Sequence, residues 1–240
     1  MLAERCQAHS MPFQIGATHT SPQLALQRVR RAARLRPGAL QVILADWYPL
    51  SDPEAIDCLA RFAEAADGIG LVLYNPPHAK RVLDPEAWGR IAAAVPALVG
   101  TKVGGNDAWY AAMRQHAPRL SLFVPGHQLA TARRCGAHGS YSNVACLSPA
   151  GAARWYRQMS ADPAAALDLQ KRLQAFFARY IRPLIDRDHY SNAAVDKLLA
   201  AAGDWAPVGT RLRWPYRSID RQIVQQLRTA VAAELPELCP

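Results

Sequence analysis

Short apolar runs alternate with longer amphipathic ones through the first 147 residues, and that alternation constrains the fold more than anything else in the chain. Apolar runs of five or six residues suit buried strands, and apolar positions spaced three and four apart suit helices that cover a sheet. Strands are expected at Phe13 to Ala17, Leu40 to Ala45, Ile69 to Tyr74, Ala97 to Val103, Leu120 to Val124 and near Ala137 to Ser142. Helices are expected between them at Pro22 to Leu35, Pro53 to Ala66, Pro85 to Ala94, Asp107 to His116 and Gln128 to Arg134. Ser21-Pro22, Ser51-Asp52-Pro53 and Asp84-Pro85 each place a capping oxygen before a proline whose fixed φ suits a first helical turn.

After Leu147 the strands stop. Helices are expected at Pro149 to Met159, Pro163 to Tyr180, Ser191 to Ala202 and Ser218 to Glu234, with turns at Ile181-Arg-Pro183 and from Gly203 to Gly209. Their apolar stripes imply packing rather than a linker. The fold class is therefore α/β of the (β/α)8 barrel type, with six of its eight strands and a carboxy-terminal helical region. Residues 1–146 are expected to form the partial barrel, and 147–240 its last helix plus the helical region. Leu2 to Ala8 reads as the end of a helix whose strand is absent. On this reading the chain is a fragment or a product begun at an internal methionine, with about sixty further in-frame residues expected upstream.

The formal net charge of +9 raises the question of an anionic partner, but the arginines are spread over several helices. The densest run, Arg28 to Arg36, has an apolar stripe at Leu24, Val29, Ala32 and Leu35 and reads as a solvated outer face. Arg211-Leu-Arg-Trp-Pro-Tyr-Arg217 interleaves bases with aromatics as a nucleic-acid groove does. Stacked arginine and tryptophan serve equally where a tail packs on a domain, so no nucleic-acid partner is expected. Five cysteines form no CxxC and leave one unpaired, which suits a reduced compartment. The first ten residues carry charges where a signal peptide needs its apolar centre, and no apolar run approaches membrane-spanning length. The expectation is a cytoplasmic protein with no membrane partner.

Candidate chemistry lies at two consecutive strand ends, Leu71-Val-Leu-Tyr-Asn-Pro-Pro77 and Gly100-Thr-Lys-Val-Gly-Gly105. Lys102 is one of four lysines against 24 arginines, and it closes an apolar run. Loss of solvation at a buried strand end lowers an ammonium pKa and frees the amine as a nucleophile toward a carbonyl. Carboxyl ends of adjacent parallel strands lie about 5 Å apart at one rim, where active sites of this architecture form. Tyr74 and Lys102 occupy equivalent rim positions, and a phenol there can pass protons to and from an amine or carbinolamine. A bland reading is equally open on these residues alone, with Lys102 snorkelling out of a strand end and Tyr74 packed in the core.

Together with Gly136-Ala-His-Gly-Ser-Tyr-Ser-Asn143, the turn Tyr74-Asn75-Pro76-Pro77 and the strand Gly100-Thr101-Lys102 resemble the dihydrodipicolinate synthase and N-acetylneuraminate lyase family of class I aldolases. Their order and separations match that family's fifth, sixth and eighth barrel strands, and the helical tail matches its carboxy-terminal helices. The resemblance implies that Lys102 forms a Schiff base with a 2-oxo acid such as pyruvate, while Tyr74 relays protons. A carbon–carbon or carbon–oxygen bond is then made or broken beside the imine. It also implies that Gly139, Ser140 and Tyr141 contact substrate, that the protein is a homo-oligomer (dimer or tetramer), and that no cofactor is needed. For Gly136 a tight turn into the last strand is at least as good a reading as substrate contact.

Several positions depart from the family pattern. Ala79 stands where many relatives grip a substrate carboxylate with arginine, followed by Lys80 and Arg81, either of which is a possible substitute. The segment Asp46-Trp47-Tyr48-Pro49 keeps one phenol of the family's tyrosine pair, Tyr48, in a shifted register, where it suits a subunit contact as well as a relay. A Gly-Thr-Thr carboxylate turn is not found before the first strand. A truncated or diverged, non-catalytic relative is therefore the alternative to an active lyase, and a basic binding module is a third reading.

Other candidates are weaker. His19 reads as a cap or loop residue, and His78, His127 and His138 lack metal-ligand spacing, so no metal is expected. Gly104-Gly105-Asn106-Asp107 lacks the phosphate-loop patterns and reads as a turn in which Asn106 or Asp107 caps the next helix.

Overall fold

The structure, a computed structural model, describes residues 1–239. The chain runs α1 (Leu2–Ala8), β1 (Gln14–Gly16), α2 (Pro22–Ala33), β2 (Ala39–Val42), α3 (Asp52–Ala65), β3 (Leu71–Tyr74), α4 (Pro85–Ala94), β4 (Leu98–Lys102), α5 (Asp107–His116) and β5 (Ser121–Pro125). It continues through α6 (Leu129–Arg134), β6 (Gly139–Tyr141), α7 (Asn143–Leu147), α8 (Pro149–Ala161), α9 (Pro163–Phe176), a π-helical turn at Phe177–Ile181, α10 (Arg182–Asp186), α11 (Asn192–Gly203) and α12 (Arg221–Glu234). Six strands lie side by side in sequence order, and the pairs from β1 to β5 are parallel. This is an incomplete (β/α)8 arrangement with a carboxy-terminal helical region, as the alternating pattern requires.

Two compact units divide the chain. The first comprises Met1–Val124 and Cys135–Gly139, and the second Pro125–Arg134 with Ser140 onward. In the first unit Leu40, Leu71, Leu73, Leu98 and Leu122 are stripped of solvent on the strands, while Leu59, Trp88, Ile91 and Met113 are buried from the covering helices. Burying each of these side chains contributes about 1.5–3 kcal/mol. Helix starts follow the expected chemistry: the Asp84 carboxylate accepts the Ala87 N–H at 2.8 Å, and both the N–H and Oγ of Ser51 donate to Glu54 at 2.7 Å. Ser21 differs, because its own N–H donates to His19 Nδ1 at 2.9 Å and its side chain makes no cap bond.

The apolar face of α2 also differs from the expected stripe. Val29 and Ala32 are buried, but Leu24 and Leu35 are 43% and 47% exposed, and Ala25 and Ala33 take their places. Leu35 lies past the end of α2, which stops at Ala33, so it does not continue the helical stripe.

In the second unit Leu173, Phe176, Leu198 and Leu199 are solvent-free. Gly203 lets α11 approach α7 closely, since a β-carbon there would lie 1.7 Å from the Leu147 carbonyl oxygen. The expected break at Ile181–Pro183 is absent, and α9 passes through the π turn into α10. Pro183 has no N–H to give the preceding turn and its ring crowds it, and the chain widens into the π turn there, so the helix continues past the proline instead of ending. The chain turns at Arg187–Ser191 instead. Trp214, expected to pack, is 92% exposed, whereas Arg217 stacks on the Tyr190 ring with its guanidinium carbon 4.7 Å from the centroid.

Candidate active site

Lys102 and Tyr74 meet at the carboxyl ends of β4 and β3. They are register partners, and the Lys102 Nζ lies 4.1 Å from the centroid of the Tyr74 ring. A bulge creates this pairing. Leu71 faces Leu98, but Val72 faces Gly100, which leaves Val99 as an extra residue in β4. Regular pairing from Leu71 and Leu98 onward would set Thr101 opposite Tyr74 and point Lys102 to the other face. With the bulge, Thr101 pairs with Leu73 instead, fully buried, and its hydroxyl donates to the Leu73 carbonyl at 3.1 Å. Gly70 makes room for the displaced residue, because a β-carbon there would stand 2.7 Å from a Val99 methyl group.

The loop after Tyr74 is tied from within. The Asn75 side chain, 5% exposed, donates from Nδ2 to the Arg81 carbonyl at 2.8 Å and accepts the Leu83 N–H at 2.8 Å, and the Asn75 N–H reaches the Lys102 carbonyl at 3.3 Å. A buried amide satisfied at both ends fixes the turn and the tyrosine before it. The loop after Lys102 is fixed by Tyr110, whose hydroxyl accepts the Gly105 N–H at 3.1 Å. Burial pushes the Tyr110 phenol up, so it stays a neutral anchor. Asn106, not Asp107, caps α5 through the Trp109 N–H at 2.9 Å. Of these anchors, Asn75 and Tyr110 carried no assigned role in the sequence; a polar residue directly after a strand end was the available signal for Asn75.

The next strand continues the row. Phe123 on β5 pairs with Lys102, and a β-carbon at Gly139 would lie 3.4 Å from the Phe123 ring. Gly139 thus borders the ring beside the lysine within the first unit. Ser140 and Tyr141 complete β6 and belong to the second unit. Gly136 has φ +87°, the left-handed conformation that a turn into β6 demands.

Arg81 does not replace the family's carboxylate-gripping arginine. Its guanidinium is engaged by the Leu50 carbonyl and the Asp52 carboxylate, and Asp52 also accepts from Arg90 at 2.7 Å. These guanidinium hydrogen bonds, from Arg90 first and then Arg81, hold the Asp52 carboxyl below its ordinary range. Trp47 and Tyr48 are 92% and 76% exposed. His127 stacks on Phe177 with centroids 5.3 Å apart and contacts Asn143 at 2.9 Å, and burial lowers its pKa, so it packs as a neutral ring. Among the described residues no group of three or more His, Cys, Asp or Glu side chains is placed to hold a metal ion.

A partial parallel barrel with a lysine and a tyrosine paired at adjacent strand ends defines the class at the level of fold: the (β/α)8 arrangement of the dihydrodipicolinate synthase and N-acetylneuraminate lyase structures. The chain is similar to YagE, a prophage protein of the dihydrodipicolinic acid synthase family from E. coli K12 solved in complex with pyruvate, at 17% identity and a TM-score of 0.80, over 99% of this chain and 80% of that one. It is similar to dihydrodipicolinate synthase from Thermotoga maritima at 18% identity and a TM-score of 0.79, over 97% and 79% of the two chains. N-acetylneuraminate lyase from Mycoplasma synoviae matches at 16% identity and a TM-score of 0.74, over 97% and 76%. At these identities the likeness is one of fold. No protein-family model matches the chain, and no curated protein matches its sequence.

Proposed function

We propose that the protein is an imine-forming lyase or aldolase acting on a 2-oxo acid of the pyruvate type, with Lys102 as nucleophile and Tyr74 as proton relay. The observation that carries this reading is the placement of the Lys102 amine 4.1 Å from the Tyr74 ring centroid at paired strand ends. The neutral amine attacks the keto carbon to give a carbinolamine. Protonation of its hydroxyl expels water and leaves a protonated imine, with the phenol supplying and recovering protons. The imine is itself the electron sink for making or breaking the adjacent bond, so the reaction calls for no separate cofactor. Gly139, bordering Phe123, leaves space for the bound acid, and Ser140 and Tyr141 are proposed to contact it.

Arg81 is committed to Asp52 and Leu50, which leaves Lys80 as the remaining basic neighbour for a distal acceptor and makes the acceptor differ from that of relatives with a gripping arginine. Homo-oligomerisation as a dimer or tetramer and a cytoplasmic location belong to the same reading. Exposed Trp47 and Tyr48 suit a subunit contact, and among the described residues no helix is long and apolar enough to cross a membrane. Incubation with pyruvate and borohydride should give one reduced adduct, mapped by peptide mass spectrometry to Lys102 and absent from Lys102→Gln. A folded protein that yields no adduct, or yields it on Lys80, Lys171 or Lys197, refutes the proposal.

A further inference from the structure

A cleft of about 320 Å³ opens within the second unit between α6, α8 and α9. Its floor is apolar, made by Ala130, Met159, Ala166 and Leu167, and its rim carries Arg133 and Arg134. That volume is at the lower end of small-molecule sites, about 300–1,000 Å³.

The walls are fixed before any ligand arrives. Gln170, 5% exposed, accepts the Thr131 N–H at 3.1 Å and donates back to the Thr131 hydroxyl, joining α9 to α6. The Trp155 indole N–H donates to the Ala166 carbonyl at 3.0 Å, joining α8 to α9. Arg133 is also held: its guanidinium carbon lies 4.5 Å from the Tyr156 ring centroid, and its Nη2 is 3.4 Å from the Ser160 hydroxyl. Stacking of this kind leaves the in-plane donors of a guanidinium open to an oxyanion.

The charge of the rim is unmatched. In this unit Arg172 pairs with Glu237, Arg182 with Asp186 and Arg228 with Asp204, and Arg133 and Arg134 stand out from the other arginines by lining the cleft together. Neither Arg133 nor Arg134 forms an ion pair among the described residues. Two guanidiniums without ion-pair partners beside an apolar floor complement a molecule that is anionic at one end and apolar at the other.

We propose that this cleft binds a small amphipathic organic anion, with its phosphate or carboxylate at Arg133 and Arg134 and its apolar body on Met159 and Leu167. The proposal is independent of the imine reading, because a ligand without a keto group cannot react with Lys102.

Calorimetric titration of the whole chain with phenyl phosphate and with 4-phenylbutyrate tests it, and the two arms separate phosphate from carboxylate recognition. Saturable one-site binding of at least one probe is expected, weakened about tenfold or more in the Arg133→Gln/Arg134→Gln variant and unchanged in Lys102→Gln. Benzyl alcohol, which lacks the charge, should not bind measurably. Arg134→Gln alone alters an exposed side chain and keeps the fold, so it should still lower affinity severalfold. Undiminished binding in both arginine variants, or no binding of either anion, overturns the proposal.

Discussion

Tyr74 offers the lysine two things, a ring face and a hydroxyl, and substitutions separate them. Phenylalanine keeps the face and removes the proton carrier, whereas leucine removes both. The ammonium 4.1 Å from the ring centroid, on a pair that is half-buried, gains about 0.5–1 kcal/mol, a factor of roughly two to five in how firmly the amine is held. A positioned proton donor and acceptor is worth about 100- to 10,000-fold in rate. The second effect therefore dominates. In Tyr74→Phe the adduct with pyruvate should accumulate at least about 100-fold more slowly under excess borohydride, because carbinolamine dehydration has lost its relay. Tyr74→Leu should differ from Tyr74→Phe by no more than about two- to fivefold, because losing the ring face loosens the side chain but also ceases to favour the unreactive ammonium. Intact-mass time courses read both rates, and peptide mapping confirms that the adduct stays on Lys102. A Tyr74→Phe rate within fivefold of the parent, followed by a large further loss in Tyr74→Leu, would show that Tyr74 is only a platform and would refute the relay.

Gly203→Ala should cost about 3 kcal/mol or more, because its β-carbon would overlap a backbone carbonyl at 1.7 Å that no rotamer change can move. Thermal melts should show Tm lower by about 6–12 °C, and a shift under 2 °C would mean that α7 and α11 separate easily. Asp52→Asn should act through pH. The folded carboxyl is depressed by Arg90 and Arg81, so its stabilisation is complete above the unfolded value of about 3.9 and is lost as pH falls through the folded value. The Tm gap between parent and variant should be constant near neutrality and close in acid; a gap still as wide at pH 3, about a unit below the unfolded value, would sink the assignment.

All six expected strands are present: β1, β3, β4 and β6 are trimmed, β2 begins one residue earlier and ends three sooner, and β5 keeps its length one residue further on, because alternation of apolar runs is a local property that survives without knowledge of the neighbours. Strand ends were equally legible, which is why Tyr74 and Lys102 could be paired from sequence order. Non-local competition was not legible. Leu24 and Leu35 look like core residues on a helical wheel, yet Ala25 and Ala33 are buried instead and the helix ends before Leu35, which only the packed neighbours decide. Pro183 looks like a stop because its missing N–H is visible, while the π turn that accommodates it is not.

The bulge at Val99 is the sharpest case. Nothing in Leu98-Val-Gly-Thr-Lys102 marks one residue as supernumerary, since the choice depends on β3, nearly thirty residues earlier. Yet parity decides the chemistry: side chains alternate faces along a strand, so one extra residue exchanges Thr101 for Lys102 opposite Tyr74. A hydroxyl at that position is a poor nucleophile toward a keto carbon without an activating base, whereas an amine forms an imine. Gly70 permits the exchange by leaving space for the Val99 side chain, and the Thr101 hydroxyl secures it by bonding to Leu73. The proposed nucleophile thus rests on three residues that carry no chemistry of their own, and their role follows from pairing rather than from composition or motif.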